Sequence, residues 1–289
     1  MLVGINMIIV KIDVSSDKTK KYYFRPSDST DVHIEACLLN LEKYGYIICV
    51  SSQIGCAQAC KFCAASKSKL VRNLSSFEIA QQVQLIIDDN PQLLDEGFEV
   101  TYMGSGEPLS NYKNVFDSID ILRAKYLTMR KANISTTCPT TSKECFKTIS
   151  WEKYKNFLHF QYSLHFPSDT DRFKYLWPNL LKIADAIEWF NKISTATNDV
   201  YKINYIPFDK INDTDKCVTG LREIMGTTTN AKLKISKMCE ICDSKLFPSK
   251  SFESFAFSVK EAIGNVEVFH SDGTDVNAGC GQFYNDSIV

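Results

Sequence analysis

The sequence predicts an α/β fold, a partial (β/α)6-type barrel with a short N-terminal β extension, and three observations predict it. Seven short runs rich in β-branched and aromatic residues alternate with stretches of helical periodicity. Alternation over six or more units gives a parallel sheet covered by helices, which at this count closes fully or partly into a barrel. The 289 residues, 44% of them hydrophobic, suit one large domain or two small ones and can bury a substantial core.

The elements follow in order. Residues 1–40 hold "MIIVKIDV" (7–14) and "KKYYF" (20–24), which read as strands of a small extension, and residues 41–289 form the barrel. Its strands are expected at "YGYIICV" (44–50), "FEVTYMG" (98–104), "KANIST" (131–136), "FLHFQYSLHF" (157–166), "YKINYIPF" (201–208), "AKLKISKM" (231–238) and "VEVFH" (266–270). Between them, "SSFEIAQQVQLIIDD" opens with Ser75 three residues before Glu78, a capping box, and spaces Phe77, Ala80, Val83 and Ile87 at helical period. Residues 111–125, 179–193, 213–226 and 251–263 carry similar patterns. In such a barrel the loops after the strand C-termini hold the chemistry.

Composition narrows the function. No run approaches the roughly 20 apolar residues of a membrane span. The start, "MLVGINMIIVKIDV", is broken by Lys11 and Asp13 and resembles a strand more than a signal peptide, so an intracellular, cytoplasmic protein with no membrane partner is expected. Eleven cysteines in a reducing compartment point to metal or redox chemistry before disulfide stapling. The net charge of −1 leaves no basic footprint, so any nucleic-acid partner must be held by local Lys and Arg clusters, such as those in segments 60–72 and 123–131.

The chemistry concentrates in "CAQACKFC", directly after the first barrel strand. Cys56, Cys60 and Cys63 read either as half of a zinc site completed by Cys239 and Cys242, or as ligands to three irons of a cubane cluster whose fourth iron stays open. The spacing does not match the paired knuckles of zinc ribbons, which favours the cluster.

Cys56-x3-Cys60-x2-Cys63, with Phe62 before the last cysteine, resembles the radical S-adenosylmethionine (SAM) signature. The surrounding words resemble the RlmN/Cfr branch of RNA adenine methylases: "CVSSQIGCAQACKFC", "YMGSGEPLSNY" (102–112), "NISTTCP" (133–139), "YSLHFPSD" (162–169), "NYIPF" (204–208) and "GTDVNAGCGQF" (273–283), in the family's order. The resemblance implies a 4Fe–4S cluster on Cys56, Cys60 and Cys63, with SAM chelated at the open iron. It also implies SAM contacts from Gly106, Glu107, Ser135, Ser163, Leu164, His165 and Asp209, the last in place of the family's usual asparagine. Cys280 would carry a methyl, Cys49 would release the product through a transient disulfide with Cys280, and Glu35, after one inserted residue, would act as base. The implied reaction is methylation of an sp2 carbon, of adenine in rRNA or tRNA, by a monomer fed electrons by a reductant such as flavodoxin or ferredoxin.

Departures bear on the substrate. Residues 1–40 are too few for the helical N-terminal domain of most of the family, Cys138 replaces a glycine, and Asp272 replaces an arginine. The same mechanism on a small molecule or peptide, and a non-catalytic metal-bearing RNA-binding module, are the alternatives. Cys37, Cys145 and Cys217 are expected to be structural, and no role is expected for Cys239 and Cys242.

Overall fold

The computed structural model describes residues 7–27, 32–67, 69–242 and 244–284, which form two compact units. The first comprises Met1–Gln58, Cys63–Ile134 and Asp272–Val289. Its strands are β1 (Met7–Val14), β2 (Lys20–Pro26), β3 (Ile34–Leu41), β4 (Gly45–Val50), a short ribbon of β5 (Gln53–Ile54) and β6 (Arg72–Asn73), then β7 (Phe98–Tyr102) and β8 (Met129–Thr136), whose last two residues cluster with the second unit. The main sheet runs β1-β2-β3-β4-β7-β8. Its first three pairings are antiparallel and its last two parallel. β3 passes through the boundary expected at residue 40 and pairs with β4, so the extension continues the sheet of the first parallel strands.

Helices α1 (Ser76–Asp89), α2 (Leu93–Glu96) and α3 (Tyr112–Lys125) belong to this unit. The capping box closes in both directions: Glu78 N donates to Ser75 Oγ at 3.3 Å, and Ser75 N donates to Glu78 Oε2 at 2.9 Å. The buried face of α1 is Ile79, Ala80, Val83, Ile86 and Ile87, each large aliphatic worth about 1.5–3 kcal/mol. Phe77, expected on that face, is 45% exposed, because the i, i+4, i+7 row from Ile79 wins the sheet side.

The second unit comprises Ala59–Phe62 and Ser135–Ser271. Here β9 (Leu158–Ser163), β10 (Tyr201–Tyr205), β11 (Ala231–Ser236) and β12 (Val266–Phe269) pair in parallel in that order. Its helices are α4 (Ser142–Thr148), α5 (Asp169–Tyr175), α6 (Ile183–Thr197), α7 (Asp215–Gly226) and α8 (Phe252–Ile263). Strand alternation sorts the residues by face. Phe160, Tyr162 and Tyr201 pack around Phe190 of α6, with ring centroids 5.2–5.7 Å from it. Of the alternate residues, Gln161, Asn204, Lys234 and Ser236 are buried and polar. Each of these four finds a partner on the same face: Lys234 Nζ donates to Gln161 Oε1 at 3.4 Å, and Ser236 Oγ donates to Asn204 Oδ1 at 2.6 Å. A buried polar face opposite an aromatic core is what a ligand-binding interior requires. No helix among the described residues is long and apolar enough to cross a membrane.

Candidate active site

In the first unit the residues after β4 hold the loop after β7. Ser51 Oγ donates to the Glu35 carbonyl at 2.6 Å and accepts Ser105 N at 3.0 Å, while Ser52 N donates to the Ser105 carbonyl at 2.9 Å. Gln53 Oε1 accepts Glu107 N at 2.9 Å, and Asn111 Nδ2 donates to the Ser52 and Leu74 carbonyls at 2.8 Å. The "SSQ" and "GSGEP" words are thus one hydrogen-bonded structure. The glycines are required by its closeness: a Cβ on Gly104 would meet Val50 O at 2.8 Å, and one on Gly106, where φ is +106°, would meet Gln53 Cβ at 2.7 Å. Glu107 is buried, and its Oε1 accepts Leu109 N at 3.1 Å, capping the short turn Pro108–Asn111.

This loop faces Cys56. Burial pushes the Cys56 thiol up to about 12, with the neighbouring Cys63 and Glu107 adding to it, while N–H groups of Gln58 and Gly106 pull against it. Burial likewise raises Cys63, opposed by the N–H groups of Ala65 and Ser66. Cys60 is buried within the segment Ala59–Phe62, which clusters with the second unit. Among the described residues no three His, Cys, Asp or Glu side chains form a ready-made metal-holding group.

The C-terminal segment lies beside these elements within the first unit. Ala64 N, next to Cys63, donates to the Gly281 carbonyl at 2.8 Å. The Cys280 thiol sits 3.6 Å from Met103 Sδ. Met103, Leu39 and Val276 in turn pack on a buried cluster of Cys37, Cys49, Ala278 and Phe283. All eleven cysteines are free thiols. Glu35 is engaged at both oxygens, Oε1 by Lys21 Nζ at 2.9 Å and Oε2 by Tyr284 N at 2.6 Å. Lys21 Nζ also donates to the Asn277 carbonyl at 2.9 Å, so the residue expected as base is wired to the segment bearing Cys280. Lys21, Met103 and Cys37 were not singled out by sequence motifs. A signal for Cys37 was available, since it stands two residues after Glu35 on one strand and shares its face.

In the second unit Ser135 Oγ accepts Gln161 Nε2 at 3.0 Å. Ser163, Leu164 and His165 form the turn that ends β9: the buried Arg172 guanidinium donates to the carbonyls of Leu164 (3.0 Å) and Thr137 (2.7 Å). His165 has φ +55° and lies edge-on to Phe62, centroids 5.1 Å apart. Burial, with the Arg172 charge nearby, drives its pKa down to about 3, so the ring is neutral, and its Nδ1 has no hydrogen-bond partner. Asp209 closes a loop: its N donates to the Phe247 carbonyl at 3.0 Å and its Oδ1 accepts Lys250 N at 3.4 Å. Cys138 has φ +65°, a conformation natural to the glycine it replaces.

Comparison with known proteins decides the family. The proteins named "Probable dual-specificity RNA methyltransferase RlmN" from Clostridium perfringens (strain SM101 / Type A) and Pseudothermotoga lettingae are each 31% identical to this chain. The matches cover 97% of this chain and 79% and 80% of those proteins. The chain belongs to the RlmN family of radical SAM methyltransferases. No family model matches it. A crystal structure of a radical SAM methyltransferase from Sphaerobacter thermophilus shares its fold, with a TM-score of 0.82 at 23% identity over 96% of this chain and 80% of that one. A spore photoproduct lyase is more distant, with a TM-score of 0.54 at 7% identity over 81% of this chain and 79% of that one.

RlmN-family membership implies SAM and a 4Fe–4S cluster, and the residues fit both. Paired backbone N–H groups aimed at Cys56 and Cys63 are the donors that stabilise cluster thiolates. Buried, partnerless Gln58 Oε1 and His165 Nδ1 are the kind of polar atoms that a ligand satisfies.

Proposed function

We propose that this chain methylates an sp2 carbon of an adenine in RNA, with Cys280 as methyl carrier and Cys49 as the thiol that frees the product. The observation that carries this reading is the sulfur neighbourhood: Cys280 against Met103, and Met103 against the buried cluster that contains Cys49. Two thiols that serve one carbon must meet each other, and here they share one packed environment.

Cys56, Cys60 and Cys63 would hold the cluster, and Glu107, Ser135, Ser163, Leu164, His165 and Asp209 would line the SAM site. When bound, the cluster supplies the electron that splits SAM, drawn from an external one-electron carrier. The chain's own residues do the rest. Cys280 is half-buried, between the buried Ala278 and Gly279 and the partly buried Met103, which limits the access of water to a carbon-centred reaction. Cys49 thiolate attacks Cys280 sulfur, the Cys280 sulfur–carbon bond breaks with its electron pair passing to the methylene carbon, that carbon takes up a proton to become the product methyl, and a Cys49–Cys280 disulfide remains. Glu35 accepts the proton from the substrate carbon after exchanging Lys21 or Tyr284 N for it. The homologues' names support RNA as the substrate.

The test is mass spectrometry at both ends of the reaction. Protein expressed with its cluster, about four irons per chain, should carry one added methyl on Cys280. RNA nucleosides from cells with the gene should contain a methyladenosine that is missing without it. A methyl on another cysteine, or RNA of identical composition, would overturn the reading.

A further inference from the structure

Cys37, to which the RlmN-type reaction gives no task, stands directly opposite Cys49 in the antiparallel β3–β4 register. Directly opposed residues of such a pair have Cα atoms about 4.5–5.5 Å apart, within the roughly 4.4–6.8 Å that a disulfide spans. On its other side Cys37 is register partner to Lys21. The three therefore form one row across β2, β3 and β4, with side chains on one face. The Cys37 thiol is fully buried, hydrogen-bonds Cys49, lies 3.9 Å from the Ala278 carbonyl and feels the Cys280 charge. Cys49 thus has a thiol neighbour on its own sheet, distinct from the methyl carrier.

We propose that Cys37 is a second resolving thiol, which takes over the Cys49–Cys280 disulfide by exchange, leaving a Cys37–Cys49 disulfide and a free Cys280. The proposal rests on the reading of Cys49 and Cys280 given above. In the exchange, the Cys37 thiol loses its proton and its sulfur bonds to Cys49 sulfur. The Cys49–Cys280 bond breaks, and Cys280 leaves with the electron pair and is the acceptor for a proton. No net oxidation occurs; the two oxidising equivalents move from one pair to the other, and an external dithiol reductant later removes them from Cys37–Cys49. The electrostatics favour this order. With all three thiols reduced, the hydrogen bond to Cys49, burial and the charges of Cys49 and Cys280 hold the Cys37 thiol well above its usual range, against the pull of Lys21. Once Cys49 and Cys280 are joined, neither bears a negative charge, so the charge repulsion on Cys37 is gone and Lys21 works against burial alone. The gain is functional: Cys280 returns to the reduced state in which it can be methylated again, while the disulfide awaiting reduction lies within the sheet.

The experiment maps disulfides without requiring turnover. The full chain, purified anaerobically with its cluster, is oxidised with one equivalent of diamide, quenched in acid, alkylated and digested for peptide mass spectrometry. Wild type should give Cys37–Cys49 in about tenfold excess over Cys49–Cys280, with Cys280 alkylated. C37S, and the volume-conserving C37V should C37S fail to fold, should give Cys49–Cys280. Wild type with Cys49 linked to Cys280 and Cys37 alkylated, or with no Cys37–Cys49 link at all, overturns the relay. If the Cys37 variants form no Cys49–Cys280 link, the resolving reading of Cys49 fails and takes the relay with it, an outcome separable from failure of the relay alone.

Discussion

Lys21 Nζ lies 2.9 Å from Glu35 Oε1, with both side chains only 3% exposed. Register explains the meeting: Lys21 pairs with Cys37 and Tyr23 with Glu35 across β2 and β3, so Lys21 and Glu35 are diagonal neighbours on one face. Removing one partner of such a pair leaves a buried charge uncompensated, whereas removing both is far milder. Lys21→Met should therefore cost about 3–5 kcal/mol in urea unfolding, and the double variant with Glu35→Gln should recover part of that loss. A single variant with the wild-type midpoint would show that the pair does not hold the C-terminal segment.

Gly106 couples the loop after β7 to "SSQ". Its φ of +106° and the 2.7 Å approach to Gln53 Cβ leave a methyl group nowhere to go without shifting Gln53, whose Oε1 holds Glu107 N. Gly106→Ala should destabilise the fold by about 1–3 kcal/mol, and should weaken SAM binding in equilibrium dialysis more than Gly226→Ala, where no atom lies within 4 Å. Equal effects of the two substitutions would contradict the close packing of this loop.

His165 gives the fold a pH dependence. Its pKa falls from 6.5 to about 3 on folding, so between those values the unfolded chain binds a proton that the folded chain refuses. Stability rises with pH through that window: the contribution is complete above the unfolded value and is lost as pH falls towards the folded one, by at most about 1.4 kcal/mol per pH unit. His165→Asn, which tolerates the left-handed backbone, should reduce the slope of unfolding free energy against pH by about one proton relative to wild type. Parallel slopes for the two proteins would mean that this ring is not held neutral.

The order of strands and helices was legible because each leaves a period in the sequence. All seven expected parallel-region strands and all five longer helices form within a few residues of their expected limits. The short α2, α4 and α5, of four, seven and seven residues, leave too little periodicity to read. Phe77 shows the limit of periodicity itself, since two overlapping rows on α1 both looked apolar and only the sheet chose between them. In the candidate site, the Cys56, Cys60 and Cys63 motif is readable because its spacing is local. The Lys21–Cys37–Cys49 row is not, because it depends on β2–β3 and β3–β4 registers, which leave no period in the sequence. The hydrogen bonds by which Asp209 closes its loop towards Phe247 and Lys250 are not legible either, because those partners lie 38 to 41 residues away in sequence.

Removing Cys49 should stall the reaction at a defined point. If Cys280 becomes joined to a substrate carbon, release without cutting the base requires a thiolate that reaches Cys280 sulfur. Cys49 is 8% exposed, at the penultimate position of β4, and packs with Cys37, Ala278 and Phe283 rather than with Cys56. Its loss therefore spares the loop that would hold the cluster. Cys49→Ala should retain iron, SAM cleavage and Cys280 methylation, yet accumulate a covalent protein–nucleic acid species on denaturing gels that nuclease collapses. Cys37 is register partner to Cys49, and the relay has it attack Cys49 sulfur rather than Cys280, so the Cys37→Val/Cys49→Ala double variant should trap as much adduct as Cys49→Ala alone. Multiple turnover by Cys49→Ala would refute its resolving role. An adduct that resists nuclease would turn the assignment from RNA to a small molecule or peptide, and less adduct in the single variant than in the double would show that Cys37 attacks Cys280 directly.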